Sequence, residues 1–170
     1  MLLAPPRVLV DLAAPWASLY GDSNLLATIV TFLHIAPIVV GGGLAIALDR
    51  ATLRLRHDEP GARARHLAEL GSAHRVVLAG LALSFLTGLA LFAADVETYF
   101  GSWIFWLKMG FIAVLLANGA RMDRTERSLR AAGGAGADDA SWRRLRGIAV
   151  TSLVLWLTIT LAGVALLNFA

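Results

Sequence analysis

The fold class this sequence predicts is an all-α integral membrane protein, a four-transmembrane-helix bundle with both termini outside the cytoplasm. Three observations predict it. The 170 residues are 58% hydrophobic and only 16% charged, with a mean hydropathy of +0.69, which is more apolar surface than a soluble domain of this size can bury. Four apolar runs are each long enough to cross a bilayer once: 25–48, 76–94, 103–120 and 148–167. The basic residues cluster in the two connections that follow the first and third of these runs.

The segment before span one, "PPRVLVDLAAPWASLYGDSN", carries apolar and aromatic residues with few charges. Two readings fit it, a short segment lying in the membrane interface and a plain extended tail. Arg7 is the one Lys or Arg among the first twenty residues, so no cleavable leader is expected and span one serves as its own insertion signal.

Span one contains "TFLHIAPIVVGGG", residues 31–43. Pro37 removes one helical hydrogen bond and is expected to bend the helix just past His34, with Gly41 to Gly43 loosening the next turn. The face of His34 runs through Ala27, Thr31, Ile38, Gly41 and Ala45 and is mostly small. Span two carries Gly80, Ser84 and Gly88 at four-residue intervals. Lipid tails solvate leucine as well as another helix does, so such small-residue stripes mark where helices approach closely. The triple glycine is therefore read as a packing feature.

Of the 15 Lys and Arg, six lie in the connection 49–75 and seven in the connection 121–147, whereas the turn "DVETYFGS" between spans two and three has acids and no base. By the positive-inside rule both arginine-rich connections face the cytoplasm, and both termini and the acidic turn face outward. The stretch "RAAGGAGADDAS" within the second connection is expected to be a mobile loop. The pI of 10.2 follows from these flanking arginines. They lack the aromatic interleaving of a nucleic-acid surface, and no nucleic-acid partner is expected. The chain reads as one membrane domain over residues 1–170.

Two ionisable residues fall at membrane depth, His34 and Lys108, at ~15 Å and ~9 Å from the outer ends of their spans at 1.5 Å per residue. Each needs a partner or water. Lys108 can extend outward toward Asp95 and Glu97, or it can hold an anionic group such as a haem propionate, a quinone oxygen or a carboxylate. His34 has three readings: a neutral side chain hydrogen-bonded to Ser84, Thr87 or Thr158, an axial ligand to haem b or another metal, and a proton relay.

A second axial ligand is the difficulty. A helical hairpin turning near residue 58 sets His34 opposite residue 82, which leaves His74 eight residues, or ~12 Å, off level. His57 and His66 lie in the connection itself. Met109 is near the depth of His34 and would make a His/Met pair, although methionine in an apolar span is more often packing. A five-coordinate haem and an axial pair drawn from two subunits are the other arrangements. With no Cys in the chain there is no thiolate metal site, and there is no nucleophile–base arrangement, HExxH helix or phosphate-cradling glycine loop.

The segments "FLHIAPIVVGGGLAIALDRATL", "LAGLALSFLTGLALF", "FWLKMGFIAVLLANGARM" and "TSLVLWLTITLAGVAL" resemble the successive spans of uncharacterised bacterial four-helix inner-membrane proteins, themselves similar to the membrane domain of CopD-type copper resistance proteins and, more distantly, to diheme cytochrome b bundles. The resemblance covers residues 25–167 and rests on His34, the Thr87-Gly88 pair, Lys108 followed by Asn118, and the Leu155-Trp156 pair. It implies a small inner-membrane protein handling haem or copper. The expected function is a haem-binding or redox-associated role centred on His34, with Lys108, Met109 and His74 as further cofactor-binding candidates. A copper-handling protein is one alternative. Another is a non-catalytic accessory subunit of a larger respiratory or photosynthetic membrane complex, or a homo-oligomer.

Overall fold

A backbone in hydrocarbon must satisfy its own hydrogen bonds, and without closed strands the helix is the way to do so. The computed structural model describes residues 4–55, 61–133 and 139–169, and it is helical almost throughout, with no strand among the described residues. Helix α1 spans Arg7–Asp22 and α2 spans Asn24–Pro37. A five-residue π-helical segment, Ile38–Gly42, joins α2 to α3, Gly43–Arg54. Helix α4 spans Ala62–Ala94, α5 spans Val96–Gly101, α6 spans Trp103–Ala131 and α7 spans Asp139–Phe169.

Four of these units are long and apolar enough to cross a membrane: α2 through α3, α4, α6 and α7. The protein is a multi-pass, four-helix membrane bundle. Each crossing unit has 29 to 33 residues, which at 1.5 Å per residue is ~45 Å of helix against ~30 Å of hydrocarbon. The excess lies at the arginine-rich end. There α4, α6 and α7 continue as helix through segments whose polar composition marks them as connections. The flexible loop expected over 130–141 is correspondingly shorter, since α6 runs to Ala131 and α7 begins at Asp139; residues 134–138 lie outside the described residues, as does His57.

Burial follows the solvent. The tightest core is in the arginine-rich extension, where Leu67, Leu70, Leu129, Trp142 and Leu145 pack together and Leu145 has no exposed surface. Water drives apolar burial there. Arg63 closes this layer by bonding Asp139 at 3.0 Å and lying over the Trp142 ring at 5.2 Å, and Arg146 donates to the Leu55 carbonyl at 2.8 Å. Midway along, Leu115, Leu155, Trp156 and Ile159 form a second layer. Nearer the acidic turn Ile104, Ala162 and Leu166 form a third. Between these layers the outward side chains, such as Leu86, Leu157 and Leu161, are exposed as lipid-facing residues should be.

The N-terminal segment is a helix rather than an extended tail. It lies against the acidic-turn ends of α2 and α4, where the Trp16 indole donates to the Ala90 carbonyl at 2.7 Å and the Tyr20 and Thr31 hydroxyls are 3.3 Å apart. Ser23 ends α1 and caps α2 by accepting from the Leu26 amide. At the other end of the hairpin Gly61 starts α4 at φ +75°, a left-handed conformation that glycine adopts without strain.

Candidate functional site at His34 and Lys108

The site begins with Pro37. A proline has no N–H, so the carbonyl four residues back, Leu33, loses its helical donor. The π-helical segment extends the disturbance, because the Ile38 amide turns to the Ile35 carbonyl. Carbonyls freed at membrane depth are costly unless another helix answers them. Helix α4 does so: the Ser84 hydroxyl donates to the His34 carbonyl at 3.1 Å, and the Thr87 hydroxyl lies 3.4 Å from the Leu33 carbonyl while also reaching the Leu83 and Ser84 carbonyls of its own helix.

Glycines allow α4 to come this close. A Cβ on Gly80 would stand 2.9 Å from the Pro37 carbonyl oxygen, and one on Gly88 would stand 3.0 Å from His34 Cε1. The predicted Gly80-Ser84-Gly88 stripe is thus the face that receives α2. Of the three glycines in "GGG", Gly41 abuts the α4 backbone at Val77, Gly42 lies under the Trp156 ring of α7, and Gly43 faces open space.

His34 is half-buried in this contact. Its Nδ1 lies 2.9 Å from the Ser84 carbonyl oxygen, with the Ser84 and Thr87 hydroxyls each at 3.4 Å. A carbonyl can only accept, so Nδ1 carries the proton and donates. In the neutral ring Nε2 then keeps its lone pair. This is the tautomer that a metal-ligating imidazole adopts, with one nitrogen tied to a carbonyl and the other left to bind. Of the three anticipated hydrogen-bonding partners Ser84 and Thr87 are in place, while Thr158 bonds the Val154 carbonyl of its own helix.

Lys108 lies on α6 with its ammonium 3.7 Å from where a Cβ on Gly163 of α7 would be. It makes no hydrogen bond or ion pair among the described residues, so it does not reach Asp95 or Glu97. In this half of the bundle α2 packs against α4 and α6 packs against α7; the two pairs meet near the acidic turn, where the Phe92 and Phe105 rings stack with centroids 5.3 Å apart, and lower down through α3. His34 and Lys108 stand on opposite sides of that division.

The other candidates are placed apart. Helix α4 meets His34 at Ser84 and Gly88 rather than at residue 82. That register puts His74 ten residues from Ser84, ~15 Å along the helix, where it lines a separate cavity toward the arginine-rich end. Met109 is half-buried next to Lys108 but turned ~100° around α6 from it. Among the described residues no three His, Asp or Glu side chains converge as a metal-binding group.

In that separate cavity sequence reasoning overlooked Asp49, and it named Asn118 only as a point of resemblance. Asp49 directly follows the apolar run of span one and so reads as the start of a connection, yet it is 1% exposed. Asn118 on α6 is also buried, and its amide donates to the Ile148 carbonyl at 3.0 Å. The signal was available in their helical phase, since each falls on the inward face of its span.

No family model, curated protein or solved structure matches this chain.

Proposed function

We propose that this chain is a redox-associated protein of the bacterial inner membrane in which His34 is the axial ligand of a b-type haem and Lys108 attracts its acidic periphery. The observation that carries the reading is the hydrogen bond from His34 Nδ1 to the Ser84 carbonyl. It fixes the ring, sets the tautomer and leaves Nε2 as the free donor atom. The fit is that of a single imidazole. His74 lies too far along α4 to share an iron with His34, so the reading is of five-coordinate haem or of a ligand pair completed by a second copy of the chain. When bound, haem supplies one-electron chemistry. The chain's own part is to orient the imidazole through Ser84 and Thr87, and to supply a cation, Lys108, from the facing pair of helices.

The test is the absorption spectrum of the purified protein in mild detergent, oxidised and dithionite-reduced. A Soret band that shifts on reduction is expected, with loss of haem in His34→Ala and weaker retention in Lys108→Met. A featureless spectrum sinks the haem reading. If a stoichiometric membrane partner then co-purifies, the accessory-subunit reading replaces it.

A further inference from the structure

The arginine-rich half of the bundle holds a second polar site, independent of His34. Helices α3, α4, α6 and α7 line a partly open cavity of ≈310 Å³, with the exposed Leu78 and Leu116 at its edge, at the lower end of the size range of small-molecule pockets, about 300 to 1,000 Å³. Most of its wall is apolar, including Leu48, Leu81, Leu115 and Trp156. Two polar side chains in that wall are left incomplete. Asp49, 1% exposed, has an Oδ2 with no hydrogen-bond partner, and Asn118, 4% exposed, has an Oδ1 with none.

Both open atoms are acceptors. The Asn118 amide nitrogen is committed to the Ile148 carbonyl at 3.0 Å, which fixes the orientation of the side chain and leaves its oxygen as the open atom. Ser152 is the polar side chain beside Asp49, and Oδ2 remains open. Buried polar atoms of native proteins almost always find partners, so two orphans on residues lining one cavity point to a donor brought in by what occupies it. Two acceptors, one of them a carboxylate, require a donor of N–H or O–H groups, and a cation best of all. Glu126 and Asp123 line the same cavity, but each is paired with an arginine of its own helix, Arg130 and Arg127, and is already occupied as an acceptor; His74 is the other ionisable side chain in the wall.

The shape narrows the class further. A bare metal ion would have only two open oxygens here and would leave most of the volume empty. An organic cation with an apolar body fills both parts, its ammonium on the two oxygens and its body against leucines and the Trp156 ring, where cation–π attraction also operates. We propose that this cavity binds a small organic ammonium, with Asp49 as its counter-charge and the Asn118 amide oxygen as its second acceptor.

Calorimetric titration of the full-length protein in lipid nanodiscs tests this, with benzylammonium as probe, benzyl alcohol as its uncharged counterpart and sodium chloride as the metal-ion control. Saturable binding of benzylammonium near one per chain is expected, with benzyl alcohol at least tenfold weaker. Asp49→Asn keeps the size of the side chain and removes its charge, and should weaken benzylammonium at least tenfold. Gly119→Leu is the second variant: Gly119 lines the cavity and a Cβ there meets nothing within 4 Å, so a larger side chain is tolerated at the cavity wall and should weaken binding. Equal binding of the alcohol, undiminished binding in either variant, or sodium binding in place of the ammonium overturns the proposal. Absence of benzylammonium binding to the unsubstituted protein does so too.

Discussion

His34 and Ser84 are joined twice, in opposite directions: the histidine Nδ1 donates to the Ser84 carbonyl at 2.9 Å, and the Ser84 hydroxyl donates to the His34 carbonyl at 3.1 Å. The two bonds respond differently to substitution. Ser84→Ala removes the hydroxyl and leaves the backbone carbonyl, so His34 should keep its tautomer. Nitrogen-15 spectra of the imidazole should be unchanged, while thermal unfolding in detergent shows a loss of about 0.6 to 2 kcal/mol, the range of interhelical hydrogen bonds in membranes.

Thr87 answers the carbonyl that Pro37 frees, and the two positions should therefore be coupled. In Pro37→Ala the new amide can restore the helical bond to Leu33, and Thr87 loses one of its acceptors. Thr87→Val should then cost less in the Pro37→Ala background than in the unsubstituted protein, by about 0.5 kcal/mol or more in a double-mutant cycle. Strictly additive changes would mean that Thr87 bonds only within α4.

Glycines that look alike in sequence should differ on substitution. Gly80→Ala sets a methyl 2.9 Å from the Pro37 carbonyl oxygen and should destabilise by about 1 to 3 kcal/mol as the helices are forced apart. Gly43→Ala meets open space and should be neutral or stabilising by up to about 1 kcal/mol through helix propensity. Parallel melting curves decide between them.

Tyr99, in the short helix between α4 and α6, has its phenol held above the usual tyrosine range by burial, then by the carboxylate of Asp95 and by Tyr20. A raised folded value means the folded state holds its proton longer than the unfolded one. The stability this contributes is fully present below the unfolded value of about 10 and is lost as pH rises through the higher folded value. Ultraviolet titration should show a phenolate transition above about 10 that Tyr99→Phe removes. The same variant should flatten the alkaline loss of stability.

The asymmetry of charge makes a directional prediction. A reporter fused after Ala170 should be active on the outer side of the membrane, and one inserted in the 134–138 connection should be active in the cytoplasm. The reverse pattern would invert the bundle while leaving its internal packing intact.

Much of this was legible in the chain itself. Apolar runs of sufficient length become helices in a bilayer because no other backbone state satisfies its polar groups there, so the four crossings and their order needed no tertiary information. The same holds for the disturbed helical bonding after Pro37 and the Gly80-Ser84-Gly88 face, because a missing amide and a missing Cβ are local properties. The extents of α4, α6 and α7 were not legible. Arginine-rich sequence reads as loop, and its helices form because Leu67, Leu129, Trp142 and Leu145 come together from three separate segments and exclude water. The level at which α2 meets α4 also belongs to the tertiary structure. A turn count points His34 at residue 82, whereas Ser84 and Thr87 are the groups able to satisfy the carbonyls that the proline releases. Whether Asp49 and Asn118 are complete depends on three-dimensional neighbours as well, for a buried oxygen is defined as open only once every helix around it is in place.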